Sequence, residues 1–159
     1  MKTYQTFSSE ETKAIGEKIA KAAKRVGEGA LVFALKGELG AGKTTFTQGF
    51  FKGLGLKRRA PSPTFIIMRR HKVPRRRGGS KNGKNTAKSF SDVFHVDAYR
   101  LREAGHLAAL GFKEILGNSE NVVLIEWPER VRGIIPKNAR KIRFKHGKRE
   151  NERRIIIER

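Results

Sequence analysis

The chain has 159 residues, no cysteine and a formal net charge of +21. That length suits one domain with one core, and the lack of cysteine excludes disulfides, thiolate catalysis and cysteine-ligated zinc. No run approaches the roughly 18 consecutive apolar residues of a membrane span, and Met1 to Ser9 has no apolar signal core, so a cytoplasmic protein with no membrane partner is expected.

In chain order, Ser8-Ser9-Glu10-Glu11 predicts a capping box that opens a helix. Its apolar stripe runs through Ile15, Ile19, Ala22, Ala23 and Val26 and ends at Gly27 and Gly29. Residues 31–35, Leu-Val-Phe-Ala-Leu, form an uninterrupted apolar run, the pattern of a buried parallel strand. Gly37-Glu38-Leu39-Gly40-Ala41-Gly42-Lys43-Thr44 then fills every fixed position of the phosphate-binding pattern G-x-x-x-x-G-K-[ST]. Phe46, Phe50 and Leu54 recur on one face of a helix over 45–54, with Gly55 as its C-terminal cap.

Strand, glycine loop and helix are the context this motif needs. Glycines let the backbone approach phosphate oxygens closely. Successive N–H groups make an anion-binding concavity, and the helix start adds its positive dipole end. Glu38, Leu39, Gly40, Ala41, Gly42, Lys43, Thr44 and Thr45 are therefore the expected nucleotide-binding residues. Lys43 would reach the terminal phosphates, and the Thr44 hydroxyl would ligate Mg²⁺.

Further along, residues 64–68 read as a strand. Residues 69–90 lack apolar periodicity and read as a long, mobile basic hairpin or loop. Val93 to Tyr99 return as a strand, and 103–116 give one or two short helices around Gly111. Residues 122–125 are another buried-type strand, closing at Glu126-Trp127-Pro128. Residues 140–145 and 153–158 read as two edge strands joined by a polar turn.

This alternation predicts an α/β fold: a P-loop sandwich over residues 1–159 with a mainly parallel central sheet, antiparallel edge strands and a basic insertion at about 69–90. In such sheets a ligand sits outside the carboxyl ends of the strands. That rule selects Asp97 and Glu126, each near the end of an apolar strand, as the carboxylates for Mg²⁺ and for the attacking water, without deciding which does which. A hydroxyl at Thr64, in Ser62-Pro63-Thr64, suits either a switch that senses the terminal phosphate or a proline-fixed turn. Trp127 suits either stacking on a base or plugging a core, and His95 reads as a packed structural histidine.

The charge is unevenly placed. Residues 57–90 hold twelve Lys and Arg and no acid, and residues 137–159 hold ten against three acids. Residues 91–136 hold five against seven. A basic field of this kind attracts polyanions, nucleic acid first.

The segments GELGAGKTTFTQGF, SPTF, FHVDAYRL, LGFKEIL and VVLIEWPERV, in that order over about residues 8–136, resemble the TsaE (YjeE) family. The resemblance implies a small ATPase that works with the proteins TsaB and TsaD in making threonylcarbamoyladenosine beside the anticodon of tRNA. Hydrolysis there resets the complex and does not transfer the threonylcarbamoyl group. It implies ATP and Mg²⁺ as cofactors, catalytic roles for Lys43, Asp97 and Glu126, metal contacts at Thr44, Asp97 and Glu126, a switch role for Thr64, and Trp127 in the nucleotide surround. The long acid-free stretch at 69–90 departs from the family pattern and points to added affinity for tRNA, bound directly or through the complex. A small-molecule kinase with a basic lid is the alternative.

Overall fold

The computed structural model describes residues 1–25, 27–56, 67–74, 90–101 and 105–158. In chain order these form β1 (Lys2–Thr6), α1 (Ser9–Ala22), β2 (Leu31–Lys36), α2 (Lys43–Gly53), β3 (Met68–Lys72) and β4 (Asp92–Asp97). There follow α3 (Gly105–Ala108), α4 (Phe112–Gly117), β5 (Asn121–Glu126), a 3-10 segment at Pro128–Ile134, β6 (Arg140–His146) and β7 (Arg153–Ile157). The described strands make one sheet in the order β1-β7-β6-β2-β5-β4-β3.

β6, β2, β5 and β4 run parallel at its centre. β7 and β1 extend it antiparallel on one side, and β3 on the other. The expected α/β fold with a mainly parallel centre and antiparallel flanks is thus the observed one. Its cause is in the strands: β5 is buried along its whole length, and β2 along all but Lys36, which requires cover on both faces. On one face Phe33, Leu35, Leu124 and Phe144 pack against Phe46 and Phe50 of α2. On the other, Val32, Val96 and Ile125 pack with Leu107 and Phe112 of the short helices.

The helices form for local reasons. Ser8 Oγ accepts from Glu11 N–H at 3.1 Å, while the Glu11 carboxylate accepts from Phe7 N–H at 2.7 Å. The first bond satisfies a donor that α1 would otherwise leave orphaned, and the second ties the residue before the cap to the first turn. α2 closes in a Schellman arrangement, with Gly55 N–H on Lys52 O and Leu56 N–H on Phe51 O. α1 and α2 lie backbone to backbone: a Cβ at Gly49 would stand 2.0 Å from Lys13 O, so only glycine permits that approach.

Three expectations need correction. α1 stops at Ala22, because Ala23 is extended, and does not continue toward Val26. Of the strand expected at 64–68, residues 64–66 lie outside the described residues, as do 57–63 and 75–89; the described strand is Met68–Lys72, so the basic stretch from residue 69 opens as strand. Its polar side chains are held by the ladder to β4 and by Asp92, which accepts from Arg70 Nε at 2.8 Å and Lys72 Nζ at 3.2 Å. Finally, β6 and β7 are internal strands. β6 pairs parallel with β2, and β1, whose polar sequence carries only Tyr4 onto the core, covers β7 as the true edge.

Candidate nucleotide site

The parallel register sets the carboxyl ends of three strands side by side. Leu35 of β2 is level with Glu126 of β5, and Glu126 is level with Asp97 of β4. The loop after β2 crosses this edge and turns into α2 at Gly42, whose φ of 98° is left-handed and which offers no side-chain cap. A residue with a side chain would be strained there. The start of α2 is thus left to whatever anion meets it.

The loop carbonyls are engaged from the protein side. Gly37 O and Glu38 O accept from Lys43 Nζ at 2.7 and 2.8 Å. Leu39 O lies 3.1 Å from His146 Nε2, and Gly40 O accepts from Arg153 Nε at 3.1 Å. β6 and β7 therefore brace the loop, a role for His146 and Arg153 with no local sequence signal, because the 147–152 turn brings them there.

Lys43 is only 4% exposed. Burial pulls its ammonium pKa down, and the charges of Glu126, Asp97 and Glu129 work against that fall. Its Nζ also stands 4.1 Å from the centroid of the Trp127 ring, a cation–π contact. Trp127 reaches this place through a left-handed backbone, φ 59° and ψ 50°, which costs a bulky residue on the order of 1 kcal/mol. Its N–H donates to Leu35 O at 3.3 Å, and its ring lies 5.0 Å from that of Tyr99. Trp127 is half-buried, so it serves both as partial core plug and as a wall of the site.

Thr44 Oγ1 donates to the Glu126 carboxylate, 3.2 Å from Oε1 and 3.1 Å from Oε2. Glu126 is 3% exposed, and its Oε1 also meets His95 Nε2 at 2.9 Å. Asp97 accepts from Tyr99 N–H at 3.0 Å. Burial raises the Asp97 pKa, the backbone bond from Tyr99 opposes the rise, and the neighbouring Glu126 charge adds to it. The structure therefore brings Lys43, Thr44, Asp97, Glu126 and Trp127 to one place. Thr45 is half-buried in the first turn of α2, and Thr64 lies outside the described residues. A groove of about 600 Å³ runs from Gly37, Glu38 and Leu39 to Trp127, Lys145 and His146. His95 is buried, as expected of a packed histidine, and its i, i+2 spacing from Asp97 places both on one face of β4; its contact with Glu126 had no signal in the sequence.

Fold and loop together define the class: an α/β protein of the P-loop type. A sequence model described as threonylcarbamoyl adenosine biosynthesis protein TsaE matches residues 6–155, and the chain belongs to that family. Similar proteins carry the name tRNA threonylcarbamoyladenosine biosynthesis protein TsaE. The one from Bacillus subtilis (strain 168) is 33% identical over 158 residues, covering 97% of this chain and 83% of the relative. The one from Streptomyces coelicolor is 39% identical over 111 residues, covering 67% of this chain and 62% of the relative. The crystal structure of YdiB from Bacillus subtilis superposes with a TM-score of 0.67 at 31% identity, covering 98% of this chain and 83% of that one.

Proposed function

We propose that this protein is a Mg²⁺-dependent ATPase that acts with TsaB and TsaD in forming threonylcarbamoyladenosine on tRNA, its hydrolysis resetting that complex. The observation that carries this reading is the Thr44–Glu126 contact beside Lys43, where the first turn of α2 meets the carboxyl ends of β5 and β4.

The residues present suit the ligands. Engagement of the carbonyls of residues 37–40 by Lys43, His146 and Arg153 favours an anion over the loop. Thr44, Glu126 and Asp97 supply the hard oxygen donors that Mg²⁺ prefers. When bound, Mg²⁺ would neutralise charge on the phosphates.

Lys43 would exchange its bonds to Gly37 O and Glu38 O for phosphate oxygens. Thr44 and Glu126, already in contact, form the metal side. Asp97, level with Glu126 at the end of β4 and not engaged by Thr44, is the group suited to orient the attacking water. Trp127 walls the site.

For tRNA the support is electrostatic. Lys141, Arg143 and Lys145 alternate with the buried Ile142 and Phe144, so they stand together on the exposed face of β6. The basic stretch 69–90 is the second candidate for phosphate contacts.

Phosphate release from ATP, measured with and without TsaB, TsaD and tRNA, tests the reading. Stimulation by the complex supports it. Robust turnover only with a small acceptor would instead mark a small-molecule kinase.

A further inference from the structure

The structure assigns His95 as a positioning residue that holds the Glu126 carboxylate onto Thr44. This deepens the ATPase reading above and rests on it for the kinetic part of its test.

His95 lies in the middle of β4, 1% exposed, one pleat below Asp97 and on the same face. Register sets it level with Leu124, two residues before Glu126 on the neighbouring strand. A long side chain at 126 can therefore meet an imidazole at 95 across the ladder, and Nε2 lies 2.9 Å from Glu126 Oε1. The Phe51 ring of α2 stands edge-on to the imidazole, 5.8 Å between centroids and 90° between planes, so the ring is held by packing.

The other ring nitrogen selects the tautomer. Nδ1 is buried with no hydrogen-bond partner among the described residues. A proton on Nδ1 would be a buried donor without an acceptor, whereas a bare Nδ1 is the less costly orphan. The arrangement thus calls for the proton on Nε2, donated to Glu126.

Glu126 has two flexible torsions beyond Cβ and a carboxylate that burial alone would not orient. Thr44 bonds both oxygens with a single hydroxyl, which leaves rotation about the last torsion soft. A donor fixed on the other side of Oε1 removes that freedom. His95 touches neither nucleotide nor reacting atoms in this scheme; it acts through Glu126.

Two measurements decide the matter. First, ¹⁵N-histidine NMR of the full-length protein without nucleotide should show His95 as the Nε2–H tautomer, with a proton resonance that moves in Glu126→Gln. An Nδ1–H tautomer, or rapid exchange between tautomers, overturns the assignment. Second, His95→Leu should lower kcat roughly 10- to 100-fold, the worth of one hydrogen bond to a charged group, with KM for ATP within about twofold. His95→Gln, whose amide nitrogen reaches the Nε2 position, should recover most of kcat; His95→Asn, which reaches only the Nδ1 position, should not. Equal losses in Leu and Gln variants, or no loss in either, reject the positioning role. ADP binding without metal, read by the fluorescence of Trp127, should be the same in all three. If the wild-type protein turns over no ATP with or without TsaB, TsaD and tRNA, the ATPase reading fails, and the tautomer experiment still decides whether His95 holds Glu126.

Discussion

The Thr44 hydroxyl donates to Glu126 at 3.1 Å, joining the first turn of α2 to the end of β5 across 82 residues of chain. Glu126→Gln keeps an acceptor for that hydroxyl and removes the charge. ATP turnover should fall on the order of 100-fold or more, while ADP affinity without metal changes little. Phosphate release and Trp127 fluorescence titration check the two halves.

Lys43 rests on its own loop, 2.7 Å from Gly37 O. Lys43→Ala removes the cation that would follow the phosphates, so ATP affinity should fall roughly 10- to 100-fold, as expected for lost charge-assisted bonds. Isothermal titration measures this directly. Unchanged affinity and turnover would remove the nucleotide assignment of this loop.

Asp92 fastens β3 to β4. The hydrogen bond from Arg70 comes first in holding its carboxyl below the usual aspartate range, with Lys72 assisting and burial opposing. A depressed folded-state pKa means the stabilisation is present above the ordinary aspartate pKa and is lost as pH falls through the folded value. Amide exchange in β3 should therefore quicken relative to β2 on acidification into that range. In Asp92→Asn the exchange should be fast already at pH 7 and lose that pH dependence.

Gly49 is the contact point of α1 and α2. A methyl there would stand 2.0 Å from Lys13 O, a backbone atom that cannot swing aside. Gly49→Ala should cost about 1–3 kcal/mol or more, seen as a lower denaturant midpoint at unchanged slope. Gly117→Ala, where the added Cβ meets nothing within 4 Å, is the matched control.

Lys141, Arg143 and Lys145 share the exposed face of β6. If they meet tRNA phosphates, replacing all three with Ser should weaken binding by the complex and reduce the slope of log affinity against log salt by roughly 2 to 3. Deleting 75–89 in a separate variant reports the share carried by the basic stretch. An unchanged slope in both variants would assign tRNA contact to the partner proteins alone.

The sequence reading and the structure diverge by the distance over which a residue's role is set. The capping box at Ser8–Glu11, the helix after the loop and the Gly55 cap are decided within a turn of chain, and they stand as read. The Asp97 and Glu126 positions were legible because an acid closing an apolar strand is itself a local pattern. β1 was not legible: its Lys-Thr-Tyr-Gln-Thr carries little alternation and becomes a strand only because β7 offers it a ladder. Nor could the strands at the C-terminus be placed, because the hairpin of β6 and β7 is local while the pairing of β6 with β2 is not.

By itself the sequence determined the glycine loop with its phosphate-binding pattern, the helix behind it, the apolar strands that must be covered on both faces, and the excess of positive charge. Each follows from short-range spacing or composition. Only the tertiary structure decided that Glu126 meets Thr44, that His95 stands behind Glu126, and that His146 and Arg153 brace the loop. Those contacts join strands distant in sequence, and the parallel register that aligns them is set by burial on both faces of the sheet, which no single segment encodes.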